Sequence, residues 1–394
     1  MQQLTSLRLT LASAVLLAGG ASGALVLGCS SDSSSNPVTD AGTSDAARTD
    51  GATTTDAGVD AAKPLAPRVS LVHASASSVL LAASPPAGAV RFCVNSSSGP
   101  MFVIDKQLPE VVAGGPVGLP FGSGGSLTDQ ASVAPLASSL PSIDIYAYAV
   151  PATVDPALKC SQLFTDAGTP DPTKIIPLRY GGALDGADAY KIPAGTFKLA
   201  KSYLVIAIGC PSDETGSVAE LARRCGADFQ VGTPNVGNLR LEIVEVDRAT
   251  TVAAESIGGQ FLHLSPQLGA TKLQVALAAP LPGADGGKDM VTLATDSVYA
   301  SSPVPAPATL ASSASAAVDF SQSSLYFTLP TGALDLEASF VNIAYATTGV
   351  ADPTAAYFKK AKGYTFIAIG DPALPPPPNA TDARFLRVIA LPNN

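Results

Sequence analysis

Two apolar blocks lying 161 residues apart are near copies of each other: Ser202-Tyr-Leu-Val-Ile-Ala-Ile-Gly209 and Gly363-Tyr-Thr-Phe-Ile-Ala-Ile-Gly370. Arg68-Val-Ser-Leu-Val-His73-Ala-Ser is likewise matched, 190 residues on, by Gly259-Gln-Phe-Leu-His263-Leu-Ser. Leu239-Arg-Leu-Glu-Ile-Val-Glu-Val is matched by Phe385-Leu-Arg-Val-Ile-Ala-Leu-Pro. The blocks keep their order in both halves, the signature of one module present twice. The offset shrinks along the chain, so the first copy is the longer and carries its excess in loops. A first domain is expected at 68–250 and a second at 256–394.

Within each half, short apolar segments alternate with Gly, Pro, Asn and Asp. Strands are expected at 69–73, 90–94, 101–104, 143–150, 203–208 and 239–246. In the second half they are expected at 260–264, 272–277, 291–293, 325–329, 339–345, 364–369 and 385–391. The segment 239–246 alternates as a half-buried strand does, with Arg240, Glu242 and Glu245 among Leu239, Leu241, Ile243, Val244 and Val246. Many short strands and little amphipathic helix make the fold all-β, built of β-sandwiches.

The first 67 residues follow other rules. Arg8 is the only charge before an apolar run, 9–27, that ends in Val26-Leu27-Gly28-Cys29. This resembles the lipobox of bacterial lipoproteins, which implies cleavage before Cys29 and lipidation of its thiol. Ser30 after the Cys points to the outer membrane in a Gram-negative-type envelope. Plain secretory cleavage near 18–24 and an uncleaved anchor are the alternatives. Residues 30–67 are rich in Ser, Thr, Ala, Gly and Asp and lack aromatics. Such a stretch buries too little apolar surface to offset its ordering entropy, so it reads as a disordered tether spanning roughly 35 Å. Its recurring Asp residues lack the regular convergence of a calcium loop.

The repeated blocks resemble a bacterial cell-envelope module, the domain of unknown function four-three-nine-seven. The residues that carry the likeness are His73-Ala74-Ser75, Pro193-Ala194-Gly195-Thr196 and Tyr203 to Gly209. In the second copy they are His263-Leu264-Ser265-Pro266 and Tyr364 to Gly370. The resemblance implies two tandem Ig-like β-sandwich domains at a cell surface, and the family offers no established activity.

Setting Cys29 aside, Cys93, Cys160, Cys210 and Cys225 all fall in the first domain. An even number in an exported chain favours two disulfides among three connectivities. Ser217-Val-Ala-Glu220 is a capping box, and Gly226 a stop, for a short helix between Cys210 and Cys225. A Cys210–Cys225 bridge would pin both helix ends, leaving Cys93–Cys160 by elimination. The rival reading, a zinc site, lacks any Cys-x-x-Cys.

His73 and His263 are the chain's two histidines and occupy matched positions. Each is either a ligand or base, or a strand-end residue whose ring nitrogen bonds a backbone carbonyl that fixes a turn. The second is favoured, since no Cys or carboxylate lies within three residues of either. No Gly-x-Ser-x-Gly elbow occurs, and Gly283-Ala-Asp-Gly-Gly-Lys288-Asp289 has the wrong spacing for a P-loop. Asp185/Asp188 and Asp285/Asp289 are weak surface-calcium candidates, and 113–126 and 302–316 are expected to be long loops. With 32 acidic against 23 basic residues, nucleic acid is not an expected partner. The expectation is a lipid-anchored envelope module that binds or supports and is not an enzyme, without cofactor or metal. The alternatives are a carbohydrate- or peptidoglycan-interacting surface protein, which the absence of Trp disfavours, or a subunit of a larger surface assembly.

Overall fold

The computed structural model describes residues 65–393 apart from 82–88, 98, 100, 112–116, 128–130, 182–186, 230–236, 247–251, 255, 267–272, 281–287, 298, 301–307, 312–321, 329–334, 349–356, 373 and 375–383. The apolar leader, Cys29 and the tether as far as residue 64 therefore lie outside the described residues, as do Asp185 and Asp285. What is described is all-β.

The first unit contains β1 (Arg68–His73), β2 (Ala89–Asn95), β3 (Leu119–Pro120), β4 (Gly124–Ser126), β5 (Ile145–Pro151), β6 (Ile176–Tyr180), β7 (Lys191–Ile192), β8 (Ser202–Ile208) and β9 (Arg240–Val246). Among the described residues three α-helices interrupt them, α1 (Ser78–Leu81), α2 (Ala134–Ser139) and α3 (Val218–Cys225), beside three short 3-10 turns. The second contains β10 (Ser256–Leu264), β11 (Leu273–Pro280), β12 (Lys288–Ser297), β13 (Ala308–Ala311), β14 (Ser324–Thr328), β15 (Asp335–Ser339), α4 (Phe340–Thr348), β16 (Lys362–Ile369) and β17 (Arg387–Pro392).

The two units share one strand order. In the first, β4-β1-β8-β9 form one layer and β3-β2-β5-β6 the other; in the second, β13-β10-β16-β17 and β12-β11-β14-β15 do so. The central pair of each first layer is parallel, β1 with β8 and β10 with β16. The register is also repeated, His73 standing opposite Ala207 and His263 opposite Ala368. The units differ at β6, which pairs with β5 through Ile176–Leu178 and then with β9 through Arg179 and Tyr180. That strand changes layers and joins the first unit's layers into one nine-stranded sheet.

Alternation along these strands explains why their sequence is apolar without interruption. In β8, Tyr203, Val205 and Ala207 point into the first unit's core, while Leu204, Ile206 and Ile208 point the other way. In β16, Tyr364, Phe366 and Ala368 fill the second core, and Ile367 and Ile369 point away from it. The outward residues of both units form a single shared cluster, so every residue of β8 is buried. A strand covered on both faces reads as a continuous apolar run, whatever its parity. Both strands end on a glycine at positive φ, Gly209 (78°) and Gly370 (104°), where a Cβ would collide with the carbonyl oxygen of Asn238 or Phe385.

Three sequence expectations need correction. The segment 339–345 is the end of β15 followed by α4, because Phe340, Ile343 and Ala344 recur at helical spacing and are the residues that face the core. The segment 101–104 makes only an isolated bridge, Phe102 with Asn95. The stretches 113–126 and 302–316 are not wholly loops: they contain β3, β4 and β13, each too short to show periodicity.

Candidate functional site

The joint between the units is where chemistry-bearing side chains gather. Its floor is the shared apolar cluster, where Val72, Ile206 and Val244 of the first unit share a core with their counterparts Leu262, Ile367 and Leu391. At one end α3 projects towards the second unit. Ser217 caps the helix by accepting a hydrogen bond from the Glu220 amide (3.3 Å). The disulfide Cys210–Cys225 ties both ends of the segment to β8. Arg224, buried, donates to Glu214 Oε1 (2.6 Å) and to the Thr215 carbonyl (2.6 Å), and Ser77 donates to the other Glu214 oxygen (2.6 Å). With that pair locked inside, the neighbouring Arg223 reaches outward and donates to Asp371 Oδ2 of the second unit at 2.8 Å. Asp371 follows Gly370 as Cys210 follows Gly209, so the second copy places a carboxylate where the first has a sulfur. Arg223, Arg224, Arg384 and Asp371 line a cleft between the units, floored by Ala74, Phe121 and Leu374.

The histidines stand at the same joint. Both are buried, at the ends of β1 and β10. His73 donates from Nδ1 to the Leu119 carbonyl (3.0 Å), the strand-end role expected of it, and its own carbonyl accepts from the Gly122 amide (2.8 Å). His263 accepts in the same way from the Ala300 amide (2.8 Å), but among the described residues neither of its ring nitrogens has a hydrogen-bond partner. Each imidazole packs edge-to-face on an aromatic ring, Phe121 at 6.0 Å and Tyr299 at 6.3 Å. Burial pushes both imidazoles down to about 4, so they are neutral at physiological pH.

Phe121 and Tyr299 cross the joint. The Arg387 guanidinium lies 5.9 Å from the Phe121 ring and 4.3 Å from Phe385, and burial lowers its pKa to about 10. Tyr299, whose hydroxyl burial pushes far up, feels the charges of Arg240, Asp228 and Glu242 in the first unit. Arg240 donates to Glu242 (2.8 Å) and to Asp228 (2.6 Å). Ser202 of the first unit donates to the carbonyl of Asn393 (2.8 Å), whose amide side chain is held by Thr365 and Gln260.

Several of these residues escaped sequence reading. Phe121 and Tyr299 sit in dissimilar contexts, and among the described residues of the second copy α3 with Arg223 has no counterpart. One repeated signal was present and overlooked: Phe197-Lys198-Leu199-Ala200-Lys201 matches Phe358-Lys359-Lys360-Ala361-Lys362. In both, the lysine amide donates to the following tyrosine hydroxyl, Lys198 to Tyr203 (2.9 Å) and Lys359 to Tyr364 (2.8 Å), and the alanine has positive φ. The remaining bridge, Cys93–Cys160, lies in a separate buried cluster away from the joint. Asp188 is paired with Lys191 (3.2 Å), and Lys288 and Asp289 lie in β12. Among the described residues no group of three or more His, Cys, Asp or Glu is placed to hold a metal ion. Nor is any helix there long and apolar enough to cross a membrane.

No protein-family model matches the chain, and no curated protein matches it. Among solved structures it is similar to a "putative adhesin" from Bacteroides ovatus, at 12% identity and a TM-score of 0.17, over 78% of this chain and 89% of that one.

Proposed function

We propose that this protein is a lipid-anchored module of a bacterial cell envelope, held at the outer membrane by Cys29, that binds or spaces partners and performs no chemistry of its own. The observation that carries this reading is the pair of closed disulfides, Cys93–Cys160 and Cys210–Cys225. Disulfides persist in oxidising compartments, which supports export of the chain. Behind the lipobox-like Val26-Leu27-Gly28-Cys29 and a Ser/Thr/Ala/Asp-rich stretch whose composition suits a tether, two β-units packed at one joint make a body held at reach from a membrane. Its partner is an envelope glycan or another envelope protein. Labelling with a palmitate analogue tests the anchor: the unsubstituted chain takes up label, and Cys29→Ala leaves unlabelled, uncleaved precursor. Label retained on the Cys29→Ala protein would overturn the reading.

A further inference from the structure

The matched turns that lead into β8 and β16, 198–201 and 359–362, stand at the same end of the body. Ser202, which opens β8, donates to the Asn393 carbonyl (2.8 Å), and the Asn393 amide donates to the carbonyl of Gly363 at the start of β16 (2.9 Å). One residue therefore holds the two strand starts together. The turns bring Lys198, Lys201, Lys359, Lys360 and Lys362 to this end. Arg68 joins them, its amide bonded to the Lys201 carbonyl (2.8 Å). Lys198, Lys201, Lys359 and Lys360 are exposed, and Arg68 and Lys362 are partly so. Each turn is fixed by a tyrosine hydroxyl and a positive-φ alanine, which keeps its lysines on a rim rather than in the strand layer.

Among the described residues, the carboxylates around this rim already have partners. Glu245 pairs with Lys201 at 2.7 Å, and Asp144 and Asp188 share Lys191 (3.9 and 3.2 Å). Glu337 accepts a hydrogen bond from Ser324 (2.6 Å). The rim is basic in a chain whose formal charge is −9. Its sequence neighbours outside the described residues balance one another, Lys63 and Arg248 against Asp247 and Glu255. Two large apolar side chains stay exposed among the lysines, Leu65 (67%) and Leu199 (45%). Leu65 is also where the chain from Cys29 arrives, its carbonyl accepting from the Ala200 amide (2.7 Å). Exposed leucines set among lysines are the combination by which a protein face holds an anionic membrane surface.

We propose that this rim is a docking face for an anionic phospholipid surface, on which its cations meet headgroup phosphates while Leu65 and Leu199 enter the interface. The occupant follows from the path of the chain. The segment that begins at Cys29 ends on this rim, so the lipid anchor brings the membrane to the face that carries the lysines. The inference rests on the reading of Cys29 as an anchor for that delivery alone; affinity for anionic headgroups belongs to the folded units. Each cation near a charged leaflet contributes about fivefold to partition. Salt screens that attraction, so the body lies against the leaflet in dilute salt and lifts to the length of its tether as charge is screened.

Sedimentation with vesicles tests this without the lipid. All described contacts involve residues from 65 onward, so a chain beginning at Ser30 keeps them and separates the rim from acylation. That chain is expected to partition onto vesicles of phosphatidylglycerol and phosphatidylcholine in equal parts, to ignore pure phosphatidylcholine, and to dissociate as sodium chloride is raised. Lys359→Gln with Lys360→Gln should weaken the partition about 25-fold, and Leu199→Ser should weaken it as well. Lys159 follows the far end of β5, and Lys174 precedes Ile176, which stands opposite Ala149 near that end. Lys159→Gln with Lys174→Gln should therefore leave binding unchanged. Equal binding to both vesicles, binding to neither, or equal losses from the two lysine pairs would overturn the proposal. So would capture by a soluble anionic polysaccharide without capture by vesicles, which would assign the rim to a glycan. If a variant fails to fold, the unsubstituted chain's choice between anionic and neutral vesicles decides the matter. Palmitate labelling decides the anchor separately, so the two readings fail by different results.

Discussion

Acidification from pH 7 to pH 5 should destabilise this protein steeply, and the two buried histidines set the size of the effect. In the unfolded chain each imidazole has its ordinary value of 6.5, while in the folded protein burial holds it at about 4. The folded state therefore resists a proton that the unfolded state accepts. Stability is complete above 6.5, falls as pH drops from 6.5 towards 4, and is then lower by about 3 kcal/mol per histidine. At pH 5 the loss is about 2 kcal/mol each, or about 4 kcal/mol together, against a total stability on the order of 5–15 kcal/mol. Glu110 and Asp171 do not contribute in this window. Glu110, lowered chiefly by a hydrogen bond from Ser132, and Asp171, lowered chiefly by one from Thr173, give up their contributions only below their ordinary values of 4.5 and 3.8. Urea unfolding followed by far-ultraviolet circular dichroism at pH 7, 6 and 5 reads the effect as a falling midpoint at constant slope. Replacing His73 with Asn should cost about 1–2 kcal/mol at pH 7 through the lost bond to the Leu119 carbonyl, and replacing both histidines should remove most of the dependence between pH 7 and 5. An unchanged wild-type midpoint at pH 5, or imidazole resonances titrating near 6.5 in the folded protein, would refute the reasoning.

The bridges give a second expectation: non-reducing peptide mapping should recover Cys93 with Cys160 and Cys210 with Cys225. Opening Cys210–Cys225, which spans 15 residues, should cost about 3 kcal/mol. Reduction should lower the melting temperature of the first unit before that of the second, which contains no Cys; coincident loss of both would mean the joint couples them fully. Ala200 and Ala361 hold positive φ (60° and 57°) at matched turns. Replacing either with Gly should raise stability by up to about 1 kcal/mol, since the relief of left-handed strain exceeds the added chain entropy. Thermal melts in which both glycine variants are destabilised would show that these turns carry no such strain.

What the sequence determined by itself is the repeat, the all-β class, the helix between Cys210 and Cys225 and the matched histidines. Each is written locally: a strand is a few apolar residues between turn formers, and a capping box lies within four residues. The segment 339–345 misled because β15 hands directly to α4, and an apolar run that short suits either period until a core selects one face. Sequence also could not say why Leu204, Ile206 and Ile208 are as apolar as Tyr203, Val205 and Ala207, since alternation disappears when both faces are covered. Only the tertiary structure supplied the second covering surface, the other copy of the same module. It also brought Arg223 to Asp371 and Phe121 to Arg387 across 148 and 266 positions of chain. Such contacts depend on how two sheets meet through space, and no local propensity encodes which faces will meet.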